Sequence, residues 1–383
     1  MSSALSALLI CFSLATPVVA AQVSFETVAI QAEAARTQNR VPNAIRLYRE
    51  GTHMRPAWAE GWWYLGSLLY DQNRFPEATF AFQHLLGSTS HGGPVHAFLG
   101  LCEYGTGDYD NALAQFRAWA SSGWPGPPAL RDVAIYHFAL LLTRDGKFVE
   151  SLYLIAPLAR RLGDNPDVAE AMGLASLRLR YLPENYPPEM RERIWLAGEA
   201  ALYASQSPKD FQRADDFAAR LESHYGTQPN IHYFRGTLYS FEDKIAYAER
   251  EYREELNFSP RLVPCLTALA AIDLDKDNLA EANLLARRAV DIDPMDAEAH
   301  HLLGRVSLAK GDLKASLIEL KIAKQLAPRD PEVRAHLAMV YGQLGRMKEA
   351  KAESAAFLAL KSKEDLMEPV RAKPGKSDRR KSN

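Results

Sequence analysis

Asp273-Leu274-Asp275-Lys276-Asp277-Asn278 sets carboxylates at alternate positions, as a calcium loop does when it gathers oxygen ligands. Such a loop needs Gly at its sixth position for the sharp turn and a bidentate Glu at its twelfth. Those places hold Asn278 and Leu284, so the segment reads as a polar turn between helices. Ten histidines are scattered along the chain. His91 and His96 flank Gly92-Gly93-Pro94, and His300-His301 is a tandem pair. Neighbours on a helix point in different directions, so the pair cannot chelate one ion together. HExxH, a glycine-rich phosphate loop and a GxSxG elbow are all missing from the sequence. Cys102 and Cys265 are far apart and sit within helical patterns, with no CxxC and no disulfide framework. Both read as small buried hydrophobes. Carboxylate pairs such as Glu254-Glu255 read as solvated helix faces. No catalytic residue, metal ligand or cofactor is assigned, and the chain is read as a non-enzyme.

The elements that would position any site must come from 383 residues, 47% of them hydrophobic and 24% charged, a balance suited to a large folded core. A net charge of −2 gives no general attraction to nucleic acid or anionic lipid. Residues Ala4 to Ala15 form an uncharged apolar run, broken by Pro17 and followed by Val18-Val19-Ala20-Ala21. That pattern predicts an export signal over 1–21, cleaved after Ala20 or Ala21, although no Lys or Arg precedes the run. Cys11 follows Leu9-Ile10 rather than a small residue, which disfavours a lipid anchor. The run falls short of the ~20 residues a membrane-spanning helix needs, and no other segment qualifies. The mature chain is expected to be periplasmic or secreted, or cytoplasmic if the signal does not function.

Self-similarity organises nearly everything after the leader. Gly66, Gly100, Gly236 and Gly304 are separated by multiples of 34 residues. So are Ala44, Ala78, Ala112, Ala214, Ala248, Ala282 and Ala350, and so are Pro56, Pro260, Pro294 and Pro328. From Ala59 the frame shows Trp62, Leu65, Gly66, Leu69, Ala78 and Phe82. From Gly93 it shows Leu99, Gly100, Ala112 and Phe116. From Pro229 it shows Gly236, Tyr239, Ala248, Tyr252 and Pro260. This spacing resembles the tetratricopeptide repeat (TPR), in which each unit is a helix A–turn–helix B hairpin. Further units begin near Phe25, Asp132, Trp195, Val263, Ala297 and Pro331. The eighth position, Gly or Ala, is expected to face the Ala at the twentieth. The seventeenth opens helix B and is expected to carry an apolar plug: Val41, Phe75, Tyr109, Phe148, Phe211, Ile245, Leu279, Leu313 and Met347. Gly107, Gly146, Gly311 and Gly345 fall two residues earlier, where the turn needs a permissive backbone.

The predicted fold is therefore an all-α solenoid superhelix of about nine hairpins with an irregular centre. An N-terminal arm spans 25–165 and a C-terminal arm 195–362. Between them, 166–194 holds an extra helix over Asp167–Leu179 and a proline-rich loop from Tyr181 to Pro188. Residues 363–383 read as a disordered basic tail. The resemblance implies that helix A positions two, five, nine, twelve and thirteen line a concave groove. In this sequence these include Trp63, Tyr70, Tyr104, Tyr136, Arg144, Tyr203, Tyr233, His301 and Arg305. The family's carboxylate-gripping set of Lys, Asn and Arg is replaced by Glu33, Ser67 and Leu101, which puts a chaperone-tail receptor in doubt. The implied function is a scaffold for a protein or peptide partner in envelope-associated assembly. Two alternatives remain: a helical-toroid polysaccharide hydrolase or lyase, and a carbohydrate-binding module using Trp58, Trp62, Trp63, Trp119 and Trp124.

Overall fold

In eight of the nine repeats one left-handed residue reverses the chain between helix A and helix B. Gly107, Gly146, Gly311 and Gly345 have φ between 73° and 81°, and in four other units the same place holds Asn39, Asn73, Asp243 or Asp277 with φ between 55° and 60°. Asn and Asp tolerate this region because their short polar side chains bond locally. Helix B then begins on the very next residue but one.

The computed structural model describes residues 24–86, 92–206 and 208–366. The leader at 1–21, His91 and the tail beyond Leu366 lie outside the described residues. Nineteen α-helices and one short 3-10 turn, with no strand, are found among them. They are α1 (Phe25–Thr37), α2 (Val41–Met54), α3 (Ala59–Asp71), α4 (Phe75–Gln83), α5 (Gly92–Gly105), α6 (Tyr109–Ser121), α7 (Pro128–Arg144), α8 (Phe148–Leu162), α9 (Pro166–Ser176), α10 (Arg191–Ser205), α11 (Phe211–Tyr225), α12 (Ile231–Phe241), α13 (Ile245–Phe258), α14 (Val263–Asp275), α15 (Leu279–Ile292), α16 (Ala297–Ala309), α17 (Leu313–Leu326), α18 (Pro331–Gln343) and α19 (Met347–Leu366). All nine seventeenth-position residues are the first residue of a helix B. Helices α7 and α10 start ahead of the repeat frame, at Pro128 and Arg191, and α19 runs to Leu366, into the segment read as tail.

The fold is an all-α solenoid of hairpins, and the chain divides into two compact units, Met1–Ala134 and Ile135–Asn383. Residues 166–194 lie inside the second. In the first unit the core runs through Val28, Tyr48, Trp62, Leu69, Phe82, Leu85 and Leu99. Each fully buried ring or branched side chain there contributes about 2 kcal/mol of apolar burial. In the second, Leu266, Leu269, Ala286 and Leu302 form one cluster and Leu320, Leu337 and Val340 another.

Two packing expectations are corrected. A Cβ on Gly66 would meet the Phe82 ring at 2.8 Å, on Gly100 the Phe116 ring at 2.7 Å, on Gly236 the Tyr252 ring at 2.6 Å, and on Gly304 the Leu320 side chain at 2.7 Å. The eighth position therefore makes room for the large residue at the twenty-fourth; its nearest neighbours are not at the twentieth. Where the eighth position is Ala270, the twenty-fourth shrinks to Ala286. The seventeenth position is also less of a plug than expected. Phe148 is buried, but Ile245 is 38% and Met347 60% exposed, because the first residue of a helix has no preceding turn over it.

Helices α9 and α10 meet backbone to backbone, whereas at Gly66, Gly100, Gly236 and Gly304 the nearest atoms across the hairpin belong to side chains. A Cβ on Gly173 would lie 2.1 Å from the Ile194 carbonyl oxygen, and one on Gly198 would lie 2.0 Å from that of Ala169. Backbone meets backbone there. Asn165 caps α9, its Oδ1 accepting the Val168 N–H, and Arg178 with φ 55° ends the chain's helical course beyond it.

Candidate partner-binding face

In four repeats a polar residue at the fourth place ties helix A to its own helix B. His96, His232, His300 and Arg334 reach a partner nineteen residues on, at the twenty-third place: Gln115, Glu251 and Glu319 at 2.7 Å, and Glu353 at 2.9 Å. Several of these side chains also donate backwards to a proline carbonyl six residues earlier. Trp62 Nε1 donates to Pro56 O at 2.8 Å, His300 Nε2 to Pro294 O at 3.1 Å and Arg334 to Pro328 O at 2.9 Å. One residue thus ties helix A to its own helix B and to the chain entering the repeat. Glu255 adds a further tie. Read from sequence as solvated, it is fully buried, and its oxygens accept the N–H groups of Asn230 and Tyr233 at the start of α12. A carboxylate suits that place because the first N–H groups of a helix have no internal acceptor.

In the second unit α10 touches α12, α14 touches α16, and α16 touches α18. These helices A are thereby set side by side in pairs. The residues expected to line the groove are distributed as follows. In the first unit Trp63 packs edge-on against Phe82 and Phe98, and Tyr70 edge-on against Phe98, so the structure brings these two together around one ring. Tyr104 meets Tyr109 at 5.4 Å. Tyr136 is half-buried beside His137, and burial pushes its phenol well above the usual range. Arg144 is exposed. Tyr203 stacks on Phe217 under the Arg213 guanidinium. Tyr233 lies against Tyr252 with Arg178 above it, and burial raises its phenol too. His301 is 5% exposed, with Nε2 3.1 Å from His336 Nδ1. Arg305 reaches Asp275 at 3.6 Å. Most of these side chains cover their neighbours; Arg144, and in part Arg305, are turned outward.

The sequence reading passed over better-exposed residues in the same register. Phe241, at a thirteenth position, is 63% exposed, and Met339, at a ninth, is 53% exposed. The repeat frame alone could have found them. The tryptophans of the first unit are packing residues: Trp62 and Trp119 are buried with their indole N–H groups bonded to Pro56 O and Pro125 O, and Trp58 fills the space left by Gly51 and Gly61. Glu33, at a carboxylate-clamp position, is held by Arg36 and Tyr48. The polar segment Asp273–Asn278 forms an A–B turn in which Asn278 Nδ2 donates to Asp273 Oδ1 at 3.0 Å.

The architecture is that of a helical-hairpin repeat protein. Residues 31–91 and 267–331, and separately 331–363, match family models described as tetratricopeptide repeat, and the chain carries tetratricopeptide repeats over these segments. No curated protein matches the chain in sequence. Among solved structures, MamA (residues 41 to the end) from Desulfovibrio magneticus RS-1 is 19% identical with a TM-score of 0.36, covering 40% of this chain and 87% of that one. YrrB, described as a TPR protein with an unusual peptide-binding site, is 17% identical with a TM-score of 0.36, covering 47% and 92%. The Cut9–Hcn1 assembly of APC/C gives 14% identity and a TM-score of 0.37, covering 90% and 80%. With scores this low, the family rests on the repeat matches and the 34-residue register, not on these likenesses.

Proposed function

We propose that the chain is a non-enzymatic scaffold that binds a protein or peptide along the face of its successive helices A, exported behind its leader and acting in envelope-associated complex assembly. The observation that carries this reading is the side-by-side placement of α14, α16 and α18 together with outward side chains in the family's groove register, Phe241, Arg305 and Met339. Aromatic, Met and Arg side chains are the types that anchor protein interfaces. The thiols argue against nucleophilic chemistry, because the thiolate is the reactive form. Burial pushes the Cys102 thiol up to about 12 and Cys265 higher still. The apolar run ending in Val18-Val19-Ala20-Ala21 supports export, and the net charge of −2 supports a protein rather than a nucleic-acid partner.

The test is site-specific photo-cross-linking in intact cells, with the probe at Met339 or at Ile318, an exposed position of α17 on helix B. Cross-links from position 339 that are missing from 318, and that disappear with Phe241→Ser plus Arg305→Glu, are the expected result. Equal cross-linking from both positions would remove the helix A face as the binding surface. The mass of the same bait, ending at a new N-terminus after Ala20 or Ala21, is the expected sign of export.

A further inference from the structure

We propose that Glu298, His301 and Asp330 form a binding site for a divalent transition-metal ion, with zinc as the best-matched occupant. One donor atom from each lies within 4.8 Å of the other two. His301 Nδ1 and Glu298 Oε2 are 3.3 Å apart. Two ligands at zinc's preferred ~2.0–2.2 Å in a tetrahedral sphere are about 3.3–3.5 Å from each other, so this pair already stands at coordination spacing. Asp330 closes the set with a movement of about an ångström in a side chain at the lip of α18.

The surroundings hold the three donors close to one another. The His301 side chain is only 6% exposed, and its Nε2 is turned to His336 Nδ1 at 3.1 Å. His336 orients the ring from the far side and leaves Nδ1 aimed at the carboxylates; because His336 Nδ1 donates to Glu332 O at 2.8 Å, an ion on His301 Nδ1 moves the proton to Nε2 and requires the His336 ring to turn and accept it. Asp330 is held as well: its Oδ1 accepts the N–H groups of Glu332 and Val333 as the cap of α18. A second oxygen remains for a metal. Two carboxylates and one neutral imidazole balance a doubly charged ion, and a nitrogen-plus-oxygen set suits zinc, cobalt or nickel better than calcium or magnesium. Glu298 and His301 share one face of α16 at i and i+3, and Asp330 opens the next helix A, so the ion would join the starts of two successive repeats. Three protein ligands leave a fourth position open to water.

A second trio with similar spacing, Glu222, His232 and Glu251, does not qualify. Glu222 is bound to the Arg235 guanidinium at 3.1 Å and Glu251 to Arg250 at 2.8 Å. Two fixed positive charges already occupy the place an ion would take.

The experiment titrates the untagged, chelator-treated full chain with Co²⁺ and then Zn²⁺, reading the visible d–d absorption of cobalt and the heat of zinc binding. One equivalent per chain with an absorption typical of four or five ligands is expected. Glu298→Gln, at an exposed position, and Asp330→Asn, which keeps the helix cap, should each weaken binding tenfold or more while leaving the melting temperature in chelator unchanged. His301→Ala should abolish binding, and the two milder variants keep the result readable if that change unfolds the repeat. Glu222→Gln should leave the titration unaltered. No saturable binding, or an unchanged titration in Glu298→Gln plus Asp330→Asn, would overturn the site.

Discussion

In four repeats a glycine at the eighth place makes room for a large side chain at the twenty-fourth. Gly66 admits Phe82, Gly100 admits Phe116, Gly236 admits Tyr252 and Gly304 admits Leu320. A methyl group added at Gly66 has nowhere to go, since the Phe82 ring is fully buried and within 2.8 Å. Gly66→Ala is expected to cost about 1–3 kcal/mol through overpacking. In the Phe82→Ala background the same change should cost less, because the ring it strikes is gone. A double-mutant cycle by urea denaturation checks this, with an expected coupling of about 1 kcal/mol or more. Additive changes would mean that the two side chains do not share the space. The glycine itself was legible from its 34-residue spacing. Its partner was not, because the period fixes which residues recur but not the crossing of helix A on helix B. The same limit explains the site residues. Trp63, Tyr233 and His301 were correctly placed on helix A, but whether a ring or a second imidazole covers them depends on neighbours in other repeats, which residue type and register do not encode.

At the scale of elements, a backbone-to-backbone junction lies where the repeat frame is lost. Helices α9 and α10 meet through Gly173 and Gly198 with carbonyl oxygens inside 2.2 Å of any added Cβ. A side chain could turn away, but a carbonyl belonging to a helix cannot move without breaking the ladder that holds it. Gly173→Ala and Gly198→Ala are each expected to destabilise by about 3 kcal/mol or more, beyond the cost of Gly66→Ala. Chemical denaturation followed by circular dichroism would show it, and a loss no larger than that at Gly66 would contradict the backbone contact. The extra helix could be read from its apolar stripe at Val168, Met172 and Ala175, but its mate could not. Fourteen residues of loop and 3-10 turn, 177–190, separate the pair, and no periodicity spans them. The glycine turns at Gly107, Gly146, Gly311 and Gly345 were legible because a single left-handed residue dictates them; Asn and Asp fill the same place in four other units.

For the whole molecule, the 34-residue period was enough to give the all-α solenoid, because each hairpin buries its apolar face only against the next. What it could not give is how charge buried within the hairpins couples the molecule to pH. Each compact unit contains a group whose proton affinity the fold raises. In the first, burial chiefly, with Asp108 nearby, pushes the Glu103 carboxyl up to about 7, and its Oε2 has no hydrogen-bond partner. The folded state keeps that proton longer than the unfolded chain does, so the associated stability is complete below about 4.5 and is lost as pH rises through 7. Between pH 6 and 8 this amounts to about 1 kcal/mol. In the second unit the hydrogen bond from His232 to Glu251 raises the imidazole above its ordinary value of 6.5. Burial alone would lift the Glu251 carboxyl, but His232 and Arg250 outweigh it and hold it low. The pair's contribution is complete between about 4.5 and 6.5 and declines as pH climbs through the folded-state value of the histidine. Both units should therefore melt at lower temperature at pH 8 than at pH 6. Glu103→Gln should raise the melting temperature at pH 8 and flatten the first unit's response. His232→Gln should lower it at pH 6 and flatten the second's. Calorimetry of the three proteins at the two pH values decides it: a wild-type trace that does not shift downward, or variants that keep the full slope, would show that neither group carries the dependence.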